Sequence, residues 1–350
     1  MGKYRVAQVG CGHRGKHHID GFLRNPDRFE LVAVCDINRE RLEAAAAQFG
    51  IAKTYADAET MLAAERPDVF CFVTQPNVRL AMIELGLRYG PRAIAFEKPM
   101  ATSLAEARRI RDLCGQAGVK FIVSHQQKYG DHWHKAKALY ERGEIGELVR
   151  IHASSRAWLS QLGTHLVDYI LWFNGGRRAT WVVGHVHGRK ALADSHPSPE
   201  YTEGEIAFEN GVRAFVQFGY LSPQWLPQEK FWTDNRITLY GTHGYAWANT
   251  DGDWAAFTKA SGGQVIGEAL ARWPEQETRL LQPRYLRDLA DWLDDEAKVH
   301  PCNGEISYHG YEIMAALVYS ALDHRRVDLP LREIPAEGEI ARLARELPGH

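Results

Sequence analysis

The chain has 350 residues, 45% of them apolar, and a formal net charge of −2 with acids and bases interspersed. That length allows two cores, while the near-neutral balance excludes a strongly basic nucleic-acid surface and offers little to an anionic membrane. The five cysteines (Cys11, Cys35, Cys71, Cys114 and Cys302) are odd in number and contain no C-x-x-C pair, which predicts a reduced, cytoplasmic protein. Tyr4 enters the first apolar run at once, so no secretory leader is expected. The longest apolar stretch, 313–322, is well short of the roughly 20 residues of a membrane span.

Residues 4–9 read as a short strand that runs into Gly10-Cys11-Gly12-His13-Arg14-Gly15 and the start of a helix. A second apolar run, 30–35, ends in Asp36, 21 residues past Gly15. Strand, glycine turn, helix and distant acid together form the fingerprint of a dinucleotide site. In it Gly10 allows the tight turn, Gly12 lets the backbone approach the pyrophosphate, and Gly15 lets helix and strand pack closely. The phosphates sit at the helix N-terminus, beside His13 and Arg14. Asp36 accepts from the ribose 2′-hydroxyl and its charge favours NAD over NADP, a preference that nearby Arg39 could soften.

The alternation continues. A helix is expected over 39–49, stopped by Gly50, then a strand at 69–73, a helix at 79–90 and a strand at 93–96. Ser103-Leu104-Ala105-Glu106 has the spacing of a capping box opening the next helix, and 120–124 closes the series. Repeated strand–helix units predict a doubly wound parallel sheet, a Rossmann domain over 1–124, with ligand at the carboxyl ends of its strands. Thr74-Gln75-Pro76-Asn77 and Glu97-Lys98-Pro99 both follow strand ends, on that binding edge.

Beyond residue 124 the pattern changes. Segments 148–155 and 181–187 alternate as half-buried strands do. Segments 203–209 and 212–220 flank Asn210-Gly211, a strong hairpin signal, and 236–240 with 245–249 suggest a second hairpin. One helix is expected at 164–173, and two more, near 285–295 and 305–324, should cover the sheet. The fold class is therefore α/β: an N-terminal Rossmann sheet plus a C-terminal α+β domain, 125–350, with a large, mostly antiparallel sheet.

Phe96-Glu97-Lys98-Pro99-Met100 places a lysine where it can meet both cofactor ribose and a substrate hydroxyl. Together with the glycine fingerprint, the Thr-x-Pro-Asn turn, Gly143-Glu144-Ile145-Gly146-Glu147-Leu148 and Gly163-Thr164-His165-Leu166-Val167-Asp168, the chain resembles the Gfo/Idh/MocA family over nearly its whole length. The resemblance implies that Lys98 contacts nicotinamide ribose and substrate, and that His165 faces the substrate as proton donor or acceptor. It also implies a cofactor site of Gly10, Gly12, His13, Arg14, Gly15, Asp36, Thr74, Asn77, Glu97, Lys98 and Gln127. The implied substrate site is Lys98, Tyr129, Trp158, Gln161, Thr164 and His165. At i and i+3, His165 and Asp168 share a helix face, so the acid could orient the imidazole.

Three departures stand out. Gln161 replaces the Asp that many catalytic members carry four residues before the histidine, and an amide cannot take a proton. Leu80 stands where a His is frequent, and Gln127-Lys128-Tyr129 replaces an Asn-Arg-Phe/Tyr segment. Proton transfer is then expected to rest on His165, with Lys98 polarising the oxygen.

The expected activity is NAD-dependent hydride transfer, with NADP possible, at a secondary hydroxyl of a sugar, sugar derivative or cyclitol. The alternatives are an oxidoreductive glycosidase, which oxidises a ring hydroxyl transiently and eliminates the aglycone, or a non-catalytic NAD/sugar sensor. The partner is a small carbohydrate or cyclitol, and a homodimer or homotetramer is expected because one sheet face needs covering. His132-x-His134 and His185-x-His187 would share a face in strands, but no third ligand is close in sequence, so no metal is expected. Tyr129, Trp133, Trp158 and Trp172 are candidates for stacking on a sugar, with Trp172, seven residues after His165 on the same helix, better placed for the core.

Overall fold

The computed structural model describes residues 2–270 and 272–348, which fall into two compact units. The first holds residues of 1–101, 106–126 and 276–307; the second holds those of 102–105, 127–275 and 308–350.

The first unit alternates β1 (Tyr4–Val9), α1 (His13–Leu23), β2 (Phe29–Cys35), α2 (Arg39–Phe49), β3 (Thr54–Tyr55), α3 (Ala58–Glu65), β4 (Val69–Phe72), α4 (Arg79–Leu87), β5 (Ala93–Glu97), α5 (Leu104–Ala117) and β6 (Lys120–Ser124). Two of these helices, α2 and α3, begin where a side chain satisfies an orphan amide. Asn38 accepts from the Arg41 amide at 2.9 Å and Asp57 from the Thr60 amide at 2.7 Å. Gly50, at φ 67°, stops α2 as expected. All strands are parallel, in the order β3-β2-β1-β4-β5-β6. The order reverses between β1 and β4, so the turns after these two strands flank the switch point where α/β sheets take their ligands. Phe70, Phe72, Phe96 and Phe121 form a ring series across β4, β5 and β6, with successive centroids 5.5, 5.1 and 6.0 Å apart.

The second unit contains α6 (Asp131–Glu141), β7 (Leu148–Ser155), α7 (Thr164–Phe173), β8 (Ala179–His187), β9 (Tyr201–Phe208), β10 (Arg213–Gly219), β11 (Asn235–Gly241), β12 (Gly244–Asn249), β13 (Asp253–Phe257) and β14 (Val265–Ala269). There follow α8 (Trp273–Gln276), α9 (Gln282–Asp294), α10 (Gly304–Asp323), β15 (Val327–Asp328) and α11 (Glu339–Glu346). The nine-stranded sheet runs β14-β13-β12-β11-β7-β10-β9-β8-β15, antiparallel except where β10 meets β7. Both hairpins form: β9 pairs with β10 through Asn210-Gly211, Gly211 taking φ 85°, and β11 pairs with β12. The helix expected at 164–173 is α7, residue for residue. α10 lies on this sheet, with Ser320 Oγ accepting the Gly184 amide at 2.9 Å.

One expectation is corrected. The helix near 285–295, expected on the second sheet, is α9 and belongs with the first unit. Its apolar stripe (Tyr285, Leu286, Leu289, Ala290, Leu293) is buried there. Asn25 Nδ2 donates to the Pro283 carbonyl at 2.9 Å, and Lys120 Nζ donates to that of Trp292 at 2.6 Å. Gly21 on α1 makes the approach possible, since a Cβ there would come within 2.8 Å of Gln282 Cγ and 2.9 Å of Leu286 Cδ1. Periodicity shows that a face is buried, not what buries it. α6, β13 and β14 are elements that the sequence reading did not anticipate.

Candidate active site

The glycine turn is locked from beneath by Gln8. This buried amide, pointing out of β1, donates to the carbonyls of both Gly10 and Gly15 at 2.9 Å. Gly10 has φ 95°, and a Cβ there would strike the Val73 carbonyl; one on Gly15 would strike the carbonyl of Gly10. At Gly12, by contrast, the Cβ position opens onto free space. The expected roles of the three glycines therefore each have a physical counterpart. Gly12 also precedes the first residue of α1, so exposed His13 and the first amides of the helix border the same opening.

Asp36 closes this cradle. Its Oδ2 accepts the Cys11 amide at 2.7 Å and its Oδ1 the Asn38 amide at 2.8 Å. A carboxylate has about four acceptor positions, so capacity for ribose hydroxyls remains. Arg39 is exposed and engages Glu43 at 2.7 Å. After β4, Thr74 carries a buried hydroxyl with no hydrogen-bond partner among the described residues, and Asn77 is exposed on the turn Pro76–Val78. An orphaned hydroxyl and an open glycine edge at a switch point fit a dinucleotide.

Glu97 and Lys98, at the end of β5, sit in a dense charge cluster. Glu97 is buried and meets Arg14 at 3.4 Å and His18 Nε2 at 2.8 Å; Arg14 also pairs with Glu277. Gln282 Nε2 donates to His18 Nδ1 at 3.0 Å, which leaves the ring proton on Nε2, facing Glu97. Burial alone would raise the Glu97 carboxyl, yet Arg14, His18 and Lys98 together hold it well below the usual carboxylate range. Burial pushes the Lys98 ammonium down from its ordinary 10.5 to about 8; Arg14 and Arg79 push the same way, and Glu97 opposes them. Arg79, itself buried, donates to the carbonyls of Pro99 at 2.6 Å and Lys98 at 2.9 Å, across a cis Lys98–Pro99 bond. Gln8, His18 and Arg79 were missed by the sequence reading. Gln8 alone left a signal there, as a polar residue in an otherwise apolar buried strand.

The other candidate residues belong to the second unit. A π turn, Leu159–Gly163, leads into α7, the Trp158 carbonyl accepting the amides of Gln161, Leu162 and Gly163 at 3.1 Å each. This extra-wide turn takes Gln161 off the helical register that counting back from His165 assumes. Gln161 and Trp158 are half-buried, while Thr164, His165, Tyr129 and Gln127 are buried. His165 Nδ1 lies 3.2 Å from the Tyr169 hydroxyl, which donates to Gln127 Oε1 at 3.5 Å. Asp168, expected to orient His165, forms a buried ion pair with Lys128.

Trp133 is core rather than pocket lining, fully buried against Tyr169 and Phe173. His132 and His134 are on a helix, not a strand, and at i and i+2 they face apart; His132 is buried and His134 exposed. Among the described residues no cluster of three or more His, Cys, Asp or Glu is placed to hold a metal, and no helix is long and apolar enough to cross a membrane. The five cysteines are buried.

The chain is 38% identical to a D-apiose dehydrogenase of Paraburkholderia graminis over 35% of this chain and 32% of that one, about a third of the relative's length. It is 27% identical to a D-apiose dehydrogenase of Rhizobium rhizogenes, covering 94% of this chain and 98% of the relative. Among solved structures it shares the fold of an oxidoreductase from Agrobacterium radiobacter in complex with NAD+, L-tartaric acid and magnesium, with a TM-score of 0.78 at 18% identity over 93% of this chain and 98% of the other. Residues 4–125 match the model of the Gfo/Idh/MocA oxidoreductase family, an NAD-binding Rossmann fold.

Proposed function

We propose that this protein is an NAD-dependent dehydrogenase that oxidises a secondary hydroxyl of a sugar, sugar derivative or cyclitol. The observation that carries the reading is the charge cluster at the end of β5. A buried, ionised Glu97 stands beside a lysine whose proton is held loosely enough, at about 8, to respond to a bound alcohol oxygen. When bound, the nicotinamide ring supplies the hydride acceptor. Lys98 polarises the substrate oxygen, and His165 takes the hydroxyl proton, since Gln161 has no basic oxygen to offer. Gly10, Gly12, Gly15, His13 and Thr74 cradle the phosphates and ribose, Asp36 takes the adenosine ribose, and Arg14, Asn77, Glu97 and Gln127 complete the cofactor site. Tyr129, Trp158, Gln161 and Thr164 shape the substrate site. D-Apiose, named for two relatives, is the first sugar to offer. The test is NAD reduction across free sugars, sugar acids and cyclitols; no reduction with any of them would sink the reading.

NAD is preferred over NADP in this proposal, because Asp36 would repel a 2′-phosphate and Arg39 is occupied by Glu43. Asp36→Asn keeps one acceptor oxygen but removes the charge. It is expected to raise the NADP/NAD ratio of kcat/KM by roughly tenfold. A wild type that prefers NADP would contradict the assignment.

A homodimer or homotetramer belongs to the same reading. The second unit leaves Phe215, Tyr220, Leu221, Trp225 and Trp232 exposed, apolar side chains that an interface between copies would cover. Sedimentation at micromolar concentration should give at least a dimer, and a monomer there would count against it.

A further inference from the structure

We propose that Tyr169 is a positioning residue that holds His165 in the tautomer able to accept a proton at Nε2. The inference rests on the reading of His165 as the proton acceptor, and it concerns residues of the second unit alone.

Gln127 Oε1 can only accept, so in its 3.5 Å contact with Tyr169 the hydroxyl is the donor. That hydroxyl carries a single proton. In that arrangement the 3.2 Å contact to His165 Nδ1 is made by a proton on the ring, with the Tyr169 oxygen accepting. A neutral imidazole carries one N–H, so protonation at Nδ1 leaves Nε2 with its lone pair. The order of donation is His165 Nδ1–H to Tyr169, then Tyr169 O–H to Gln127.

The surroundings keep this order fixed. Tyr169 is fully buried, His165 is 2% exposed and Gln127 is 7% exposed, so bulk water cannot replace a member of the chain. At i and i+4 on α7, the two rings share a helix face. The Tyr169 ring is wedged by Trp133, 5.4 Å away between centroids, and capped by the Lys128 ammonium at 5.8 Å. Lys128 is in turn tied to Asp168. With Gln161 in place of a carboxylate, a basic Nε2 on His165 is the proton acceptor that the proposed chemistry retains, and its tautomer is what makes it one.

Long-range proton–nitrogen correlation spectra of the full chain, labelled at its histidines and assigned by the loss of one ring in His165→Asn, read the tautomer without any turnover. The expected wild-type pattern is a protonated Nδ1 and a bare Nε2. Tyr169→Phe should give a mixture of both tautomers and lower kcat about 10- to 100-fold with KM within about twofold. Gln127→Leu frees the hydroxyl proton to point at Nδ1 and should shift the ring toward Nε2–H. A wild-type ring protonated at Nε2, or a pattern unmoved by both substitutions, overturns the proposal. Absence of turnover with every alcohol would instead undo the dehydrogenase reading and leave the spectra to decide this one.

Discussion

Replacing Lys98 by methionine is expected to lower kcat/KM by about 10²–10⁴-fold, the usual share of a group that acts on a reacting proton or oxygen. Methionine keeps the length and apolar stem but carries no charge. The pH dependence supplies a sharper signature. The ammonium is the form that polarises an oxygen, and it is present below about 8 and lost above it. The profile of kcat/KM, which reports the free enzyme, should therefore decline on the alkaline side with a midpoint near 8. Glu97 is the neighbour that opposes the drop in Lys98, so Glu97→Gln should carry the midpoint to lower pH. A Lys98→Met variant within threefold of wild type, or an alkaline limb unmoved by Glu97→Gln, would remove Lys98 from the chemistry.

The second large effect is on stability. Lys128 and Asp168 form an ion pair whose side chains are each 2% exposed. Lys128→Met strips Asp168 of its buried cation, and breaking such a pair from one side costs about 3–5 kcal/mol. In a chain of this size that lowers Tm by about 4–7 °C. The double variant Lys128→Met, Asp168→Leu removes both charges and should recover most of the loss, because two apolar groups leave no charge stranded. Scanning calorimetry of the three proteins separates the cases. A single variant as stable as wild type would mean that the pair contributes nothing. The comparison also bears on α7, since Asp168 lies between His165 and Tyr169 in register.

Much of the fold was legible because its signals are local. Asn210-Gly211 needs only a positive φ to close β9 on β10, and Asn38 and Gly50 bracket α2 from within a few residues. The glycine turn was legible for the same reason, as its spacing is a covalent fact. α6 was not, because 131–141 mixes His132, Trp133 and His134 with lysines and has no capping residue to announce it. The ladder of β13 and β14 was hidden too: Val265–Ala269 is exposed along its length, so it lacks the alternation that marks a half-buried strand.

The site divides in the same manner. Residue type and order, with the resemblance to a family, singled out the nucleotide turn, Asp36, the Glu97-Lys98-Pro99 segment and His165 as candidates, because backbone conformation and acid–base capacity belong to the residue wherever it is placed. What those groups touch was decided by tertiary structure. The Gln282–His18–Glu97 chain joins residues up to 264 positions apart, Asp168 pairs with Lys128, and Tyr169 meets the Nδ1 of His165. Burial sets the proton affinity of Lys98, and burial arises only when distant segments close around a side chain and exclude water.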